Sequence, residues 1–192
     1  MSPTHEDHED LAEQVIYYCL RLLDPAAFAA IVDKAYKNAN GGEAQFYQYL
    51  KQNNRIQSEF HVTLIHVHDR AKSPEIWQHY KASYKEALRR DNTGSRTPSL
   101  GPGDAIPECF VWDERIMAVA VREIKGKDGP LPCANAHPHV TIGTANDSIH
   151  AFESNGLLER WRKGDNSKGM IQSMPFPPRD SFRASVEANL PE

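Results

Sequence analysis

One short motif occurs twice in this sequence, and it constrains the fold more than any other feature. The copies are residues 60–64 (FHVTL) and, 78 positions later, 138–142 (PHVTI). Apolar and polar residues alternate in both, which predicts a strand with one face on a core and the other face open. Each open face carries an imidazole and a hydroxyl about 7 Å apart. These four candidate catalytic residues are His61 and Thr63 in the first copy, and His139 and Thr141 in the second.

The paired histidines suit chemistry at a phosphorus atom. Displacing an oxygen from phosphorus requires one base to take a proton and one acid to give a proton. Imidazoles with a pKa of about 6.5 fill both roles near neutral pH. A threonine hydroxyl on the same face can donate to a phosphate oxygen as charge grows there, and Gly143 on the second strand is expected to leave room for the ligand. This reading needs no metal and no other cofactor.

Other assignments of the polar residues stay open. A zinc site could use the histidine cluster, although neither a carboxylate nor a cysteine lies at ligand spacing in it, and alternation puts His66 and His68 on the face opposite to the first motif histidine. Arg55, Arg115 and Arg122 could contact phosphate by charge alone. Residues 160–163 (RWRK) could stack a base and bind phosphate, with an ordinary basic helix end as the alternative.

Length and composition predict one domain in a reducing, intracellular compartment, nuclear or cytoplasmic. The 192 residues are 40% hydrophobic, enough for a core. No run approaches 18 apolar residues and the N-terminal segment is acidic, so we expect neither membrane insertion nor secretion. The three cysteines lack the paired spacing of a disulfide framework or a zinc site.

The net charge of -4 is unevenly distributed. The first 14 residues hold five acidic and no basic side chains, so the rest of the chain carries a net charge of +1. A nearly neutral body argues against a broad basic surface for long nucleic acid, which needs many phosphate contacts at once. A short or terminal phosphate target remains compatible with this charge.

Local patterns predict alternating helices and strands. Residues 14–23 favour a strand, with a helix over 9–23 as the alternative, and 1–13 a loose extension or a first helical turn. The abundance of Gly and Pro in 91–107 predicts a linker-like loop. The other predicted helices are 25–38, 43–52, 74–90 and 147–161, and the other predicted strands are 59–67, 110–112, 116–124, 138–144, 169–173 and 182–189. We therefore expect an α+β fold with a groove between two lobes, an acidic extension over 1–14 and a single domain over 15–192.

Three segments carry a resemblance to a known family: 55–64 (RIQSEFHVTL), 111–119 (VWDERIMAV) and 138–143 (PHVTIG). The chain resembles the two-histidine phosphoesterase superfamily, and most of all the C-terminal cyclic phosphodiesterase domain of fungal tRNA ligase. This resemblance implies a bilobal fold with two antiparallel sheets facing a central groove and helices outside. It also implies that the four motif residues form the active site, with His139 as base and His61 as acid.

The activity implied by the resemblance is hydrolysis of an RNA 2′,3′-cyclic phosphate end to a 3′-hydroxyl and a 2′-phosphate during tRNA splicing. The implied partners are tRNA exon halves and the kinase and ligase domains of a parent protein, with no membrane. Two alternatives stay open. One is another phosphodiesterase of the superfamily, acting on 2′-5′ linkages or RNA tails, and the other is a non-catalytic module that binds RNA ends.

Overall fold

The computed structural model describes residues 5–39, 41–178 and 181–191, which contain both helices and strands. The helices are α1 (His5–Glu13), α2 (Pro25–Lys37), α3 (Gln45–Gln52), α4 (Pro74–Arg90) and α5 (Ser154–Lys163). The strands are β1 (Tyr17–Leu22), β2 (His61–His66), β3 (Gly101–Trp112), β4 (Ile116–Gly126), β5 (Gly129–Pro130), β6 (His139–Thr144), β7 (Gln172–Pro175) and β8 (Phe182–Asn189). The predicted α+β class is confirmed. None of these helices is both long and apolar enough to span a bilayer.

The strands form one antiparallel, closed arrangement. Their order is β5-β4-β6-β2-β1-β8-β3-β7, and β3 also pairs with β4, so that six strands close into a barrel. The two separate sheets expected from the resemblance are not confirmed, since a single hydrogen-bonded order includes every strand. Strand β3 closes the barrel because its first half pairs with β8 on one side while nearly its whole length pairs with β4 on the other.

The predicted loop over 91–107 is wrong at its C-terminal end, where β3 begins at Gly101. Gly103, two residues further on, is needed for close strand packing. A Cβ on Gly103 would lie 2.6 Å from Leu20 Cδ1 and 2.9 Å from the Lys125 carbonyl oxygen. Pro107 sits at a register shift of the β3–β4 pair, where a strand tolerates a missing N–H. Gly and Pro therefore act here as strand-packing residues, although their local signal favours a loop.

Helix α2 begins where the sequence predicts. The Asp24 side chain accepts from the Ala27 backbone N–H at 2.8 Å, and Pro25 occupies the first turn. The buried face of the helix places Phe28 against Phe60 and Phe182, with ring centroids 4.6 and 5.1 Å apart. Burial of a side chain such as Phe28 stabilises the fold by about 1.5–3 kcal/mol.

Helix α4 covers β1 with an aromatic face, and α1 packs beside α4. Trp77, Tyr80 and Tyr84 surround the buried ring of Tyr18. Lys85 of α4 binds Glu9 of α1, and the two helices make a second ion pair, Lys81 with Glu13. The N-terminal segment is therefore helical from residue 5 onwards, pairs with α4 through Glu9 and Glu13, and is not a loose extension, while the strand prediction holds for 17–22. The domain boundary after residue 14 stays a prediction.

The segment before α5 differs from the predicted helix over 147–161. Asn146 caps a local turn by accepting from Ser148 N at 3.0 Å, and a 3₁₀ turn over Ala151–Glu153 precedes the helix proper. Helix α5 then ends at Gly164 in the left-handed conformation, φ 66°. This arrangement brings the N-terminal end of α5 to the strand that carries the second motif.

Candidate active site

The adjacent strands β2 and β6 each carry one copy of the motif. Val62 pairs with Val140 in antiparallel register, and both are buried. Each imidazole therefore has the hydroxyl of the other motif across the strand junction, on the face opposite to the valines. All four predicted site residues line one cavity of about 980 Å³: His61, Thr63, His139 and Thr141. The structure thus brings the two distant motifs to a single site.

Two further histidines line the cavity, and a bulge in β2 accounts for the first of them, His66. One residue of β1 pairs with Ile65 and the next with Thr63, so Leu64 is an extra residue on β2. The alternation shifts by one position there, and Leu64 and Ile65 are both buried. The prediction that His66 and His68 face away is wrong: both line the cavity, His66 after the bulge and His68 on the 3₁₀ turn over Val67–Asp69 that follows β2.

The second motif histidine, His139, is oriented by a backbone group. Its Nδ1 lies 2.7 Å from the carbonyl oxygen of His137. Since a carbonyl only accepts, Nδ1 carries the proton and the neutral ring keeps its lone pair on Nε2. Burial lowers the pKa of His139 and outweighs the hydrogen bond to His137, which acts in the opposite direction. The free ring is therefore neutral at neutral pH.

The first motif histidine, His61, is oriented by an aromatic ring instead. Tyr17 stacks on it with centroids 5.3 Å and planes 18° apart, and on His66 with centroids 6.2 Å apart. Burial above all, together with the charges of Arg21 and His139, lowers the pKa of His61 to about 4. The two motif imidazoles are thus close enough for the charge of one to disfavour the charge of the other. Nothing in the sequence marked Tyr17 as part of the site.

The two threonine hydroxyls have different surroundings. Thr141 Oγ1 lies 2.9 Å from Ser154 Oγ at the start of α5 and 3.3 Å from the Ala151 carbonyl oxygen. The carbonyl only accepts, so Thr141 donates its proton to Ala151 and accepts from Ser154, and a ligand oxygen would compete with that carbonyl for the proton. The Thr63 hydroxyl makes no hydrogen bond within the described part of the chain. Ser154 is fully buried, and sequence reasoning missed it.

Gly143 does not make room for a ligand, so that expectation is wrong. A Cβ at this position would lie 2.3 Å from the Arg55 carbonyl oxygen, and Gly143 forms a bridge with Ile56. The glycine lets the segment after α3 pack directly against β6. That contact stabilises the strand that carries the second motif.

The cavity is lined by polar side chains and by apolar surface, without a permanent positive charge among the described residues. No Lys or Arg is found among its described lining residues, which do include three acids, Glu59, Asp69 and Glu159. Each acid pairs with a cation outside the lining. Phe152, 68% exposed, stands at the rim and stacks on His150, with centroids 5.5 Å apart. Phosphate in this cavity would therefore be met by imidazoles and hydroxyls.

The cations considered in the sequence are mostly held by acids. Arg55 contacts Thr144 and Asp147, and Arg115 pairs with Glu153. At the end of α5 the three basic side chains also have partners: Arg160 with Asp113, Arg162 with Glu108, and Lys163 with Glu159. These pairs favour the structural explanation of the basic helix end.

The histidines do not assemble as a metal centre in the described ranges. No group of three or more His, Cys, Asp or Glu side chains there has an arrangement that could hold a metal ion. The cavity histidines are instead tied to aromatic rings and backbone groups, as with Tyr17 for His61 and the His137 carbonyl for His139.

Three comparisons relate this chain to known proteins. A family model for the fungal tRNA ligase phosphodiesterase domain matches residues 2–190. A curated protein, tRNA ligase 1 of Schizosaccharomyces pombe, is 27% identical over 138 residues, which cover 69% of this chain and only 16% of that protein. A solved structure described as a fungal RNA kinase superposes with a TM-score of 0.61 at 18% identity, over 92% of this chain and 46% of that one.

The three matches carry different weight. Identity as low as that of the solved structure shows a shared fold alone, and the S. pombe protein is a much longer one. The family model, in contrast, accounts for almost the entire length of the chain. The chain therefore belongs to the fungal tRNA ligase phosphodiesterase domain family, which confirms the predicted class of enzyme, a phosphodiesterase.

Proposed function

We propose that this phosphodiesterase opens the 2′,3′-cyclic phosphate at an RNA 3′ end and leaves a 3′-hydroxyl and a 2′-phosphate. The observation that carries the proposal is the convergence of both histidine–threonine pairs on one cavity. A cyclic phosphate needs a proton acceptor and a proton donor on opposite sides of phosphorus, and two imidazoles from two strands supply both. The proposal keeps the expected two-lobed organisation in one respect: each half of the chain contributes one histidine to the site.

In the proposed mechanism His139 is the base. Its Nδ1 proton is held by the His137 carbonyl, so Nε2 is the nitrogen that accepts a proton from water. The water oxygen bonds to phosphorus, and the bond from phosphorus to the ribose O3′ breaks. The phosphate stays on O2′, and the fixed tautomer of His139 supports this assignment.

His61 is the proposed acid, and it donates its proton to the departing O3′. The pKa of His61 is about 4 in the free protein, where burial disfavours the charged ring. An anionic phosphate beside it favours the charged ring, so substrate binding raises this pKa. Thr63 then donates to a non-bridging oxygen, where negative charge grows, and Thr141 donates to another once its proton turns from the Ala151 carbonyl to the phosphate.

The proposed biological substrate is the cyclic-phosphate end of a tRNA exon half. The name of the S. pombe relative, tRNA ligase 1, supports this proposal. The proposal includes kinase and ligase domains of a parent protein as partners, since this chain corresponds to only 16% of that relative. The exposed ring of Phe152 at the rim is suited to stack on the terminal base.

The test is to incubate an oligonucleotide ending in a 2′,3′-cyclic phosphate with the protein in chelator and to identify the terminus formed. We expect a 2′-phosphate with a free 3′-hydroxyl, and loss of turnover in His61→Ala and His139→Ala. His79→Ala, an exposed histidine on α4 outside the cavity, is the matched control and should keep full activity.

Other outcomes separate the alternatives. Activity lost in chelator and restored by Zn²⁺ would contradict the two-histidine mechanism and favour a zinc hydrolase. Tight binding of the same oligonucleotide without turnover would favour a non-catalytic module that recognises RNA ends. Cleavage of 2′-5′ linkages or shortening of the RNA, with the cyclic end left intact, would favour another member of the superfamily.

A further inference from the structure

A second, smaller cavity of about 310 Å³ adjoins the main one. Ala136 and His137 line both cavities, so the segment before β6 forms their shared wall. Helix α5 runs between them as well: Glu159 lines the main cavity and Arg162, one turn later, lines the second. A chain that leaves the main cavity over this wall arrives in the second cavity.

The two cavities differ in charge. The described lining of the main cavity has acids and no Lys or Arg, whereas the second cavity is lined by Arg122 and Arg162. The carboxylate of Glu108, also in the second cavity, is neutralised because both its oxygens accept from Arg162, with Nη1 to Oε1 at 3.0 Å. The second cavity therefore carries the positive charge that the main cavity lacks.

The two arginines are held differently. Arg162 is fixed by Glu108 and by the Trp161 ring, whose centroid lies 4.4 Å from the guanidinium carbon. Arg122 is exposed on β4, and its guanidinium forms no ion pair with any residue that the structure describes. A guanidinium without an acid partner presents all its donors to an anion, and the planar fork fits a phosphate.

We propose that the second cavity binds the phosphodiester that precedes the cyclic end of the RNA, with Arg122 as its main contact. This proposal rests on the proposed function, since an RNA whose terminal phosphate lies between the motif histidines must continue out of the main cavity. The preceding phosphate is its next anionic group. A single nucleotide with a cyclic phosphate lacks that group and cannot use the second cavity.

The test compares two substrates that share the terminal nucleoside. One is a nucleoside 2′,3′-cyclic phosphate, and the other is a dinucleotide ending in the same cyclic phosphate. We expect Arg122→Ala to lower kcat/KM for the dinucleotide roughly tenfold, as for a lost charged contact, and to leave the mononucleotide unchanged. The salt dependence of dinucleotide binding should also weaken, with a slope smaller by about 0.7 for one phosphate contact on a single strand.

Lys127→Ala is the matched control because it removes a positive charge from an exposed position near the end of the same hairpin, outside both cavities. It should affect neither substrate. Equal effects of Arg122→Ala on both substrates, or no effect on either, would overturn the phosphate subsite. Hydrolysis of the mononucleotide by the wild-type protein would leave the proposed function intact in that case. If the wild-type protein hydrolysed neither substrate, the proposed function would fail instead.

Discussion

The Tyr17 ring stacks on the His61 imidazole, with centroids 5.3 Å and planes 18° apart, although the two residues lie on different strands. This contact positions the proposed acid and also helps to bury it. We expect Tyr17→Leu to lower kcat by about 10- to 100-fold, as for a displaced catalytic group, while Tyr17→Phe keeps most of the activity.

A second measurement distinguishes the positioning role of Tyr17 from a purely structural role. Removing the ring exposes His61, so its pKa should rise from about 4 toward its ordinary value in Tyr17→Leu. Imidazole titration by NMR measures this directly. An unchanged His61 pKa together with unchanged kcat in Tyr17→Leu would contradict the positioning role.

The pH dependence of activity follows from the two lowered histidine pKa values. The mechanism needs one charged and one neutral imidazole, yet burial lowers the pKa of both in the free protein. The proposed acid His61 therefore becomes charged in a larger fraction of molecules as pH falls from neutral toward its pKa of about 4, and kcat/KM should rise by up to about tenfold for each pH unit while His139 stays neutral.

The pH optimum of kcat should lie higher than that of kcat/KM. The bound phosphate favours the charged imidazole, so the pKa of His61 rises in the complex. Rates measured at saturating and at limiting substrate separate the two profiles. Coinciding profiles with an optimum above neutral pH would contradict the lowered pKa values.

The Ser154 hydroxyl, 2.9 Å from Thr141 Oγ1, should influence catalysis through that threonine. We expect Thr141→Val to lower kcat about 100-fold, since it removes a donor to the growing phosphate charge. Ser154→Ala should have a smaller effect, and Thr141→Ser should keep most of the activity because it retains the hydroxyl. If Thr141→Val retained wild-type kcat, Thr141 would not donate in the transition state.

Two glycines provide a matched pair for stability. Gly143→Ala would place Cβ 2.3 Å from the Arg55 carbonyl oxygen and should lower the free energy of unfolding by about 1–3 kcal/mol. Gly156 lies inside α5, where a Cβ meets nothing within 4 Å. Gly156→Ala should therefore raise the free energy of unfolding by about 0.5–1 kcal/mol. Urea unfolding of both variants measures these changes, and equal stabilities would contradict the packing described for Gly143.

The sequence predicted the strands of the site well because their signal is local. The period-2 pattern places Val62 and Val140 inward and leaves the motif residues outward, and both strands appear where expected. Repetition of the motif also indicated a shared site. Helix α2 was predictable for a similar local reason, the Asp24 and Pro25 start signal.

The missed features arise from contacts between distant segments. The bulge at Leu64, which turns His66 toward the cavity, exists only in the pairing of β2 with β1. Ser154 reaches the site because α5 starts later than its cap candidates suggest. The start of β3 is stabilised by strands on both sides, and this pairing overrides the local preference of Gly and Pro for loops.

The central claim is that His61 and His139 act on the same phosphorus atom, and a double-mutant cycle tests it most directly. The measurement is kcat for a cyclic-phosphate-ended oligonucleotide with the wild type, His61→Ala, His139→Ala and the double variant. Histidines that act as a unit predict a loss of about 100-fold or more in each single variant and little further loss in the double variant. Independent, multiplicative losses, or one single variant with near wild-type turnover, would contradict the account.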